Sequence, residues 1–217
     1  MSDPIKVDIW SDVACPWCFI GKRKFEAGAA AAGVDVEVVY HSYELSPDTP
    51  VEVPGSHYEH LAGHMGVPIE QAKAMMSRVT GIAESVGLHY DYDALQTTNT
   101  VLAHELIHFA KSKGRQLDMK ERLFRAYFEE GRHVGRVDDL VALAAEIGLD
   151  AGEARTALES HEFLSDVRAD QQQAGAYGIT GVPFFVIEDK YGVSGAQDPA
   201  LFAQALAQVA AEKEGAA

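Results

Sequence analysis

Apolar and polar residues alternate from Ile5 to Trp10, with Ile5, Val7 and Ile9 interleaved by Lys6, Asp8 and Trp10. A period of two sends successive side chains to opposite faces, so this segment predicts a short strand with two differently lined faces. From Phe19 to about Ala32 the repeat lengthens, with Ile20, Phe25 and Ala29 set among Lys, Glu and Ala and Gly33 at the stop position of a helix. Residues 34–45 turn β-branched and aromatic and predict a second strand. The chain opens β-α-β.

Pro47, Pro50, Pro54 and Gly55 then mark a loop, after which the pattern stays helical for more than a hundred residues. Pro68 suits a first helical position, and Ala72, Met75, Met76, Val79, Ile82, Ala83 and Val86 keep a helical spacing up to Gly87. Residues 100–113 and 117–130 predict helices ended by Gly114 and Gly131. Asp138 is placed to cap another, with Leu140, Leu143, Ala144 and Ile147 inward, and 151–160 and 162–176 predict two more. Beyond Gly178, Pro183 precedes the apolar run Phe184–Ile187, a turn at Glu188-Asp189-Lys190 and a second short run, Tyr191–Ser194, which together read as a hairpin. Asp198 and Pro199 open a last helix through Leu201, Phe202, Ala205, Leu206 and Val209, whose Ala-rich tail is expected to fray. No repeat of solenoid period is present. Four short strands cannot each bury a face alone, so the pattern implies an α/β fold with one mixed sheet covered by helices. Its halves are residues 1–55 and 178–217, and residues 56–177 are an all-helical insertion.

Hydrophobic residues make up 47% of the chain and charged residues 24%, which excludes disordered and collagen-like classes. The net charge of −15 repels phosphate backbones and anionic lipid, arguing against nucleic-acid and membrane-surface partners. No apolar run reaches the roughly 18 residues a bilayer span needs. The start, Met1-Ser2-Asp3-Pro4-Ile5-Lys6, lacks a basic segment followed by a long apolar one, so a cytoplasmic location is expected.

The two cysteines, Cys15 and Cys18, flank Pro16 and Trp17. A bond between them closes almost no loop, which removes a structural purpose. A half zinc site would need further Cys or His at motif spacing, and no second CxxC or CxxH exists. A CxxC at a strand-to-helix junction is instead a redox signature. Placed at the helix N-terminus, Cys15 is expected to be stabilised as thiolate, with Cys18 one turn on to resolve a mixed disulfide. Pro16 fits the first helical position, and Trp17 offers apolar surface at the rim. Pro183 either opens a strand as an ordinary trans residue or, if cis and facing Cys15, lets the Val182 backbone present an edge to an extended peptide.

SDVACPWCFIG, TNTVLAHELIHFAKSKG, LFRAYFEEGRHV, GITGVPFFVI and GVSGAQ together resemble the DsbA-like thioredoxin superfamily, most closely its FrnE-like branch. The resemblance runs from about Lys6 to Val209. It implies a thioredoxin fold with a helical domain inserted in the middle, Cys15 as nucleophile, Cys18 as resolving thiol and Pro183 as a cis-proline beside them. Asn99 and Gln197 would then lie near the substrate groove with Pro16, Trp17 and Val182. The implied activity is thiol–disulfide oxidoreductase or isomerase, with disulfide- or dithiol-containing proteins or peptides as partners. No cofactor is implied beyond glutathione as a co-substrate. Related 2-hydroxychromene-2-carboxylate isomerases and kappa-class glutathione transferases carry serine where this chain has Cys15, which argues for exchange over glutathione chemistry on a small electrophile. A peptide-binding or holdase module is a third reading.

Other signals compete. His104-Glu105-Leu106-Ile107-His108 matches H-E-x-x-H, but Lys111 and Gly114 replace the Gly and His of the extended metalloprotease pattern, so two histidines along a half-buried helix is the preferred reading. His57, His60 and His64 share one face if that stretch is helical; a metal could use them, but a solvated or rim patch is the preferred reading. Met65, Met75 and Met76 are read as core filler, with the lining of an adaptable peptide groove as the alternative. Asp12 is a candidate acid–base partner for the thiols, or a turn-forming residue.

Overall fold

The computed structural model describes residues 3–216; Met1, Ser2 and Ala217, at the ends of the two expected outer segments, lie outside them. In chain order the elements are β1 (Ile5–Ser11), α1 (Pro16–Ala32), β2 (Val36–Ser42), α2 (His57–Met65), α3 (Ile69–Glu84), α4 (Val101–Ser112), α5 (Gln116–Phe128), α6 (Val137–Glu146), α7 (Ala151–Glu159), α8 (Leu164–Ala176), β3 (Phe184–Ile187), β4 (Tyr191–Ser194) and α9 (Pro199–Ala216).

The strands form one sheet in the order β2-β1-β3-β4, with β1 parallel to β2 and antiparallel to β3, and β3 antiparallel to β4. β1 is thus central, and its two faces meet different partners. Ile5, Val7 and Ile9 join Phe185 and Ile187 against Phe25 and Ala29 of α1 and Phe202, Leu206 and Val209 of α9. Trp10 and Val186 point the other way and pack with Ala174 of α8, Ile179, Tyr43, Val182 and Phe184. α1 and α9 touch closely at Gly28, where a Cβ would stand 2.6 Å from Phe202 Cβ and 2.7 Å from the Pro199 carbonyl. A side chain at that position would force the helices apart.

The chain divides into two compact units, described residues 3–43 with 170–216, and residues 44–169. The helical unit begins at Glu44, ahead of the breaker-rich loop and not after Gly55, and its far boundary falls inside α8 and not at residue 177. Hydrogen bonds explain the first shift: Asn99 Nδ2 donates to the Pro47 and Thr49 carbonyls at 2.9 and 3.0 Å, and Thr98 Oγ1 to Val51 O at 2.9 Å. Backbone groups of the loop are thereby satisfied by the residues leading into α4.

Three local expectations are corrected. Asp138 is not a cap: α6 starts after Arg136, and Asp138 lies in its first turn with an ion pair to Arg155 at 2.6 Å. The tail beyond Val209 is helical through residue 216, held by Lys213 Nζ to Glu188 at 2.8 Å and by Glu212 to Lys190 at 2.7 Å and to Tyr191 at 2.6 Å. Met65 is 42% exposed and so no core filler, unlike Met76, which is buried.

Candidate active site

β1 delivers the chain to Asp12, whose carbonyl accepts the Cys15 N–H at 3.3 Å while its Oδ1 accepts the Ala14 N–H at 3.3 Å. Asp12 therefore builds the turn. Cys15 follows with extended backbone at the N-cap of α1, Pro16 stands at the start of the helix, and the Cys18 N–H reaches the Cys15 carbonyl at 3.0 Å within the first turn. Both sulfurs lie at the head of one helix because a proline needs no amide partner there and the extended N-cap turns Cys15 toward Cys18. Cys15 and Cys18 are 3% and 2% exposed and are free thiols. Trp17 between them is 39% exposed.

The second wall comes from the segment before β3. The Val182–Pro183 peptide is cis, and the Cys15 thiol donates to the Val182 carbonyl at 3.6 Å. α1 lies against this segment at Gly21, where a Cβ would stand 2.8 Å from Pro183 Cγ and 3.4 Å from Ala196 Cβ. The Pro183 carbonyl accepts the Gly195 N–H at 2.8 Å, and Lys24 Nζ donates to Ala196 O at 3.2 Å, so the residues after β4 brace the proline. Gln197 lies in this brace, exposed, with Nε2 donating to Ser194 O at 2.7 Å.

The electrostatics reverse one expectation. Hydrogen bonding to the Cys18 side chain, then burial, then the charges of Cys18 and Asp12 push the Cys15 thiol well above the ordinary thiol range. The Cys18 backbone N–H works in the opposite direction, as a helix N-terminus should, but is outweighed. Cys15 in the reduced protein is therefore not a preformed thiolate.

The profile of the DsbA-like thioredoxin domain matches residues 6–207. The chain belongs to the DsbA-like thioredoxin family. Its fold is a thioredoxin fold with a helical insertion. This DsbA-like protein is 31% identical to the Bacillus subtilis protein YwbO over 93% of its own chain and 96% of that one. It is similar to the crystal structure of a probable DsbA oxidoreductase from Streptomyces coelicolor, with 39% identity, a TM-score of 0.89, and coverage of 96% of this chain and 91% of the other. A cytosolic disulfide reductase, DsbM, from Pseudomonas aeruginosa, solved with glutathione, shares the fold at 20% identity and a TM-score of 0.67, covering 94% of this chain and 98% of that one. The family is one of thiol–disulfide oxidoreductases and isomerases.

Within the DsbA-like protein, the redox-unit residues singled out in the sequence converge: Asp12, Cys15, Pro16, Trp17 and Cys18 at the head of α1, Val182 and Pro183 facing them, and Gln197 in the brace. Asn99 belongs to the other, helical unit and spends its side chain there, two donor bonds to the loop and its Oδ1 accepting the Val101 N–H at 2.8 Å. Glu105 of the H-E-x-x-H segment is buried and pairs with His161 Nδ1 at 2.9 Å. His57 turns to Thr97 Oγ1 at 2.7 Å and stacks on Tyr92, while the rings of His60 and His64 lie 6.4 Å apart. Among the described residues no group of three or more His, Cys, Asp or Glu is placed to hold a metal ion, and no helix is long and apolar enough to cross a membrane.

Sequence reasoning missed a buried cluster on the α8 side of the sheet. His41 lies between two carboxylates, Nε2 to Asp8 Oδ1 at 2.7 Å and Nδ1 to Asp170 Oδ1 at 2.7 Å, and stacks on Trp10 at 4.4 Å between ring centroids. The one signal in the sequence was Asp8, a charged residue in the middle of a strand whose next same-face neighbour is Trp10.

Proposed function

We propose that this protein is a thiol–disulfide reductase working through the Cys15–Cys18 pair on disulfide-bonded peptides or proteins, with a small thiol such as glutathione as the recycling reductant. The observation that carries the reading is the Cys15 thiol at the N-cap of α1, against the Val182 carbonyl, with Cys18 in the next turn. Cys15, once deprotonated, attacks one sulfur of the substrate disulfide; a Cys15–substrate disulfide forms and the other substrate sulfur leaves as thiolate. The Val182 backbone and the Trp17 ring support the bound segment. Cys18 then attacks the Cys15 sulfur, the substrate departs with both sulfurs reduced, and the enzyme is left as the Cys15–Cys18 disulfide. Two molecules of the small thiol restore the dithiol through a second mixed disulfide, and are themselves oxidised to one disulfide.

The buried pair supports the reducing direction. A strong oxidant stabilises its reduced form by holding the nucleophile as thiolate. Here Cys18, burial and Asp12 act against that charge, which supports a reducing rather than a strongly oxidising couple. Such work suits a cytoplasmic setting, and the disulfide reductase of Pseudomonas aeruginosa offers a precedent of the same fold.

The test uses a disulfide-bonded peptide with glutathione as reductant. Wild-type protein should turn over, Cys18→Ser should stop at a covalent peptide adduct visible by mass, and Cys15→Ser should form none. Turnover by Cys18→Ser at the wild-type rate would show that glutathione, not Cys18, resolves the Cys15–peptide disulfide and would remove Cys18 from the mechanism; conversion of a small electrophile with glutathione by Cys18→Ser, with no disulfide reduced, would favour the glutathione reading instead.

A further inference from the structure

The row of the sheet nearest the thiols runs His41, Trp10, Phe184, Ser194 across its four strands. Phe184 directly follows Pro183. Trp10 is fixed in that row: its ring stacks on His41 with an interplanar angle of 16°, its Nε1 donates to the Asp170 carbonyl at 3.0 Å, it pairs with Phe184 across the strands, and it belongs to the buried cluster against which Val182 packs. His41 is in turn held by Asp8 of β1 and Asp170 of α8, both buried, and Asp170 Oδ2 also accepts the Ser42 N–H at 2.7 Å. A further charged group beside the cluster is Lys6, 3.0 Å from Asp8 Oδ2 and shared with Asp189 at 3.5 Å. Tyr43 and Tyr177 pack around Trp10, the latter edge-on at 5.6 Å.

Two buried carboxylates around one imidazole are balanced when the ring is a cation bonded through both nitrogens. A neutral ring donates through one nitrogen only, and the other carboxylate then faces a lone pair. We propose that Asp8, His41 and Asp170 form a proton-sensitive clamp that positions Trp10 and, through it, the Val182–Pro183 segment against Cys15, making His41 a positioning residue for the thiol pair. Burial works against the His41 charge, but Asp170 and then Asp8 outweigh it and raise its pKa above the ordinary imidazole value. The clamp is closed while His41 is protonated and opens as pH rises through the value His41 has in the fold, which lies above that of the ordinary imidazole. Opening leaves Asp8 and Asp170 without their shared cation, loosens Trp10, and frees the Cys15 thiol from the Val182 carbonyl.

The inference deepens the exchange reading by adding a control to its site, yet two measurements on the clamp need no turnover. In a Trp17→Phe background, emission comes from Trp10 alone, since the chain has two tryptophans. A stacked imidazolium accepts an electron from the excited indole and a neutral ring does so poorly. Trp10 emission should therefore rise in one step between about pH 5.5 and 9. In the unlabelled protein, the logarithm of the iodoacetamide rate at Cys15 should climb with pH and carry an upward step at the same midpoint. His41→Gln should abolish both steps, and Asp170→Asn should move both midpoints down by about 1–3 units, a readout that survives if His41→Gln does not fold. Flat emission, or alkylation profiles that run parallel in wild type and both variants, would overturn the clamp. Steps that persist in a protein unable to turn over any disulfide peptide would support the clamp and remove the exchange reading instead.

Discussion

Gly21 offers a measurement of how tightly α1 is seated on the redox loop. An added Cβ would lie 2.8 Å from Pro183 Cγ. Carbon atoms rest at about 3.5–4.0 Å, so the proline ring or the helix must give by roughly 0.7 Å or more. Overpacking of this kind costs about 1–3 kcal/mol, while replacing glycine by alanine inside a helix returns up to about 1 kcal/mol. Gly81, inside α3 with nothing within 4 Å of an added Cβ, supplies the second quantity alone. Gly81→Ala should therefore raise the melting temperature by a few degrees, since about 1 kcal/mol moves a chain of this size by roughly 2–4 °C. Gly21→Ala should fall below Gly81→Ala by about 2–12 °C, the crowding term by itself. Because Pro183 follows the carbonyl that accepts the Cys15 thiol, Gly21→Ala should also change the rate of Cys15 alkylation, which Gly81→Ala should leave alone. Paired calorimetric scans and alkylation rates decide it. If Gly21→Ala stabilises as much as Gly81→Ala, the tight seating of α1 on Pro183 is wrong.

Three further outcomes follow from the same geometry. Burial, and secondarily His60, lower His57 to about 4, so the unfolded chain binds a proton that the fold refuses between that value and 6.5; stability from His57 is complete above pH 6.5 and is lost as pH falls toward 4, up to about 3 kcal/mol, a slope that urea melts should find and His57→Asn should flatten. Asp12→Asn keeps a turn-forming side chain but removes a charge that opposes ionisation of Cys15, so its alkylation curve should shift to lower pH; a curve on top of wild type would mean the Asp12 charge is not felt at the sulfur. Asn99→Ala strips the 44–55 loop and the start of α4 of three hydrogen bonds and should cost about 1–3 kcal/mol in urea unfolding; a loss within error would show water satisfying those groups equally well.

Local chemistry was legible in the chain and long-range chemistry was not. Gly33, Gly114 and Gly131 end helices with positive φ because only a residue without a Cβ takes that conformation freely, and each was visible as a stop signal. The β1 alternation announced two faces, and both were found covered. The membership of residues 44–55 was hidden, since the bonds that bind them to the helical unit come from Thr98 and Asn99, about fifty positions away. His41 and Asp170 meet across 129 positions, and neither carries a local pattern. The Cys15 expectation failed for a related reason: the helix terminus that lowers a thiol is a local feature, whereas the Cys18 sulfur and the Asp12 charge oppose it through folded geometry.

The redox unit is split along the chain, with β1 and α1 made first and β3 and Pro183 near the end. At about 5–20 residues per second, roughly 10–30 s separate the emergence of Cys15 from that of Val182. Through that interval the nascent chain carries both thiols without the carbonyl and the β3 wall that later enclose them. The sheet cannot close before its third strand arrives, so the interval when the sulfurs are most open to stray oxidants is birth on the ribosome. A helical segment able to fold while tethered would shorten the flexible span to be closed, and with it the time both sulfurs spend unguarded.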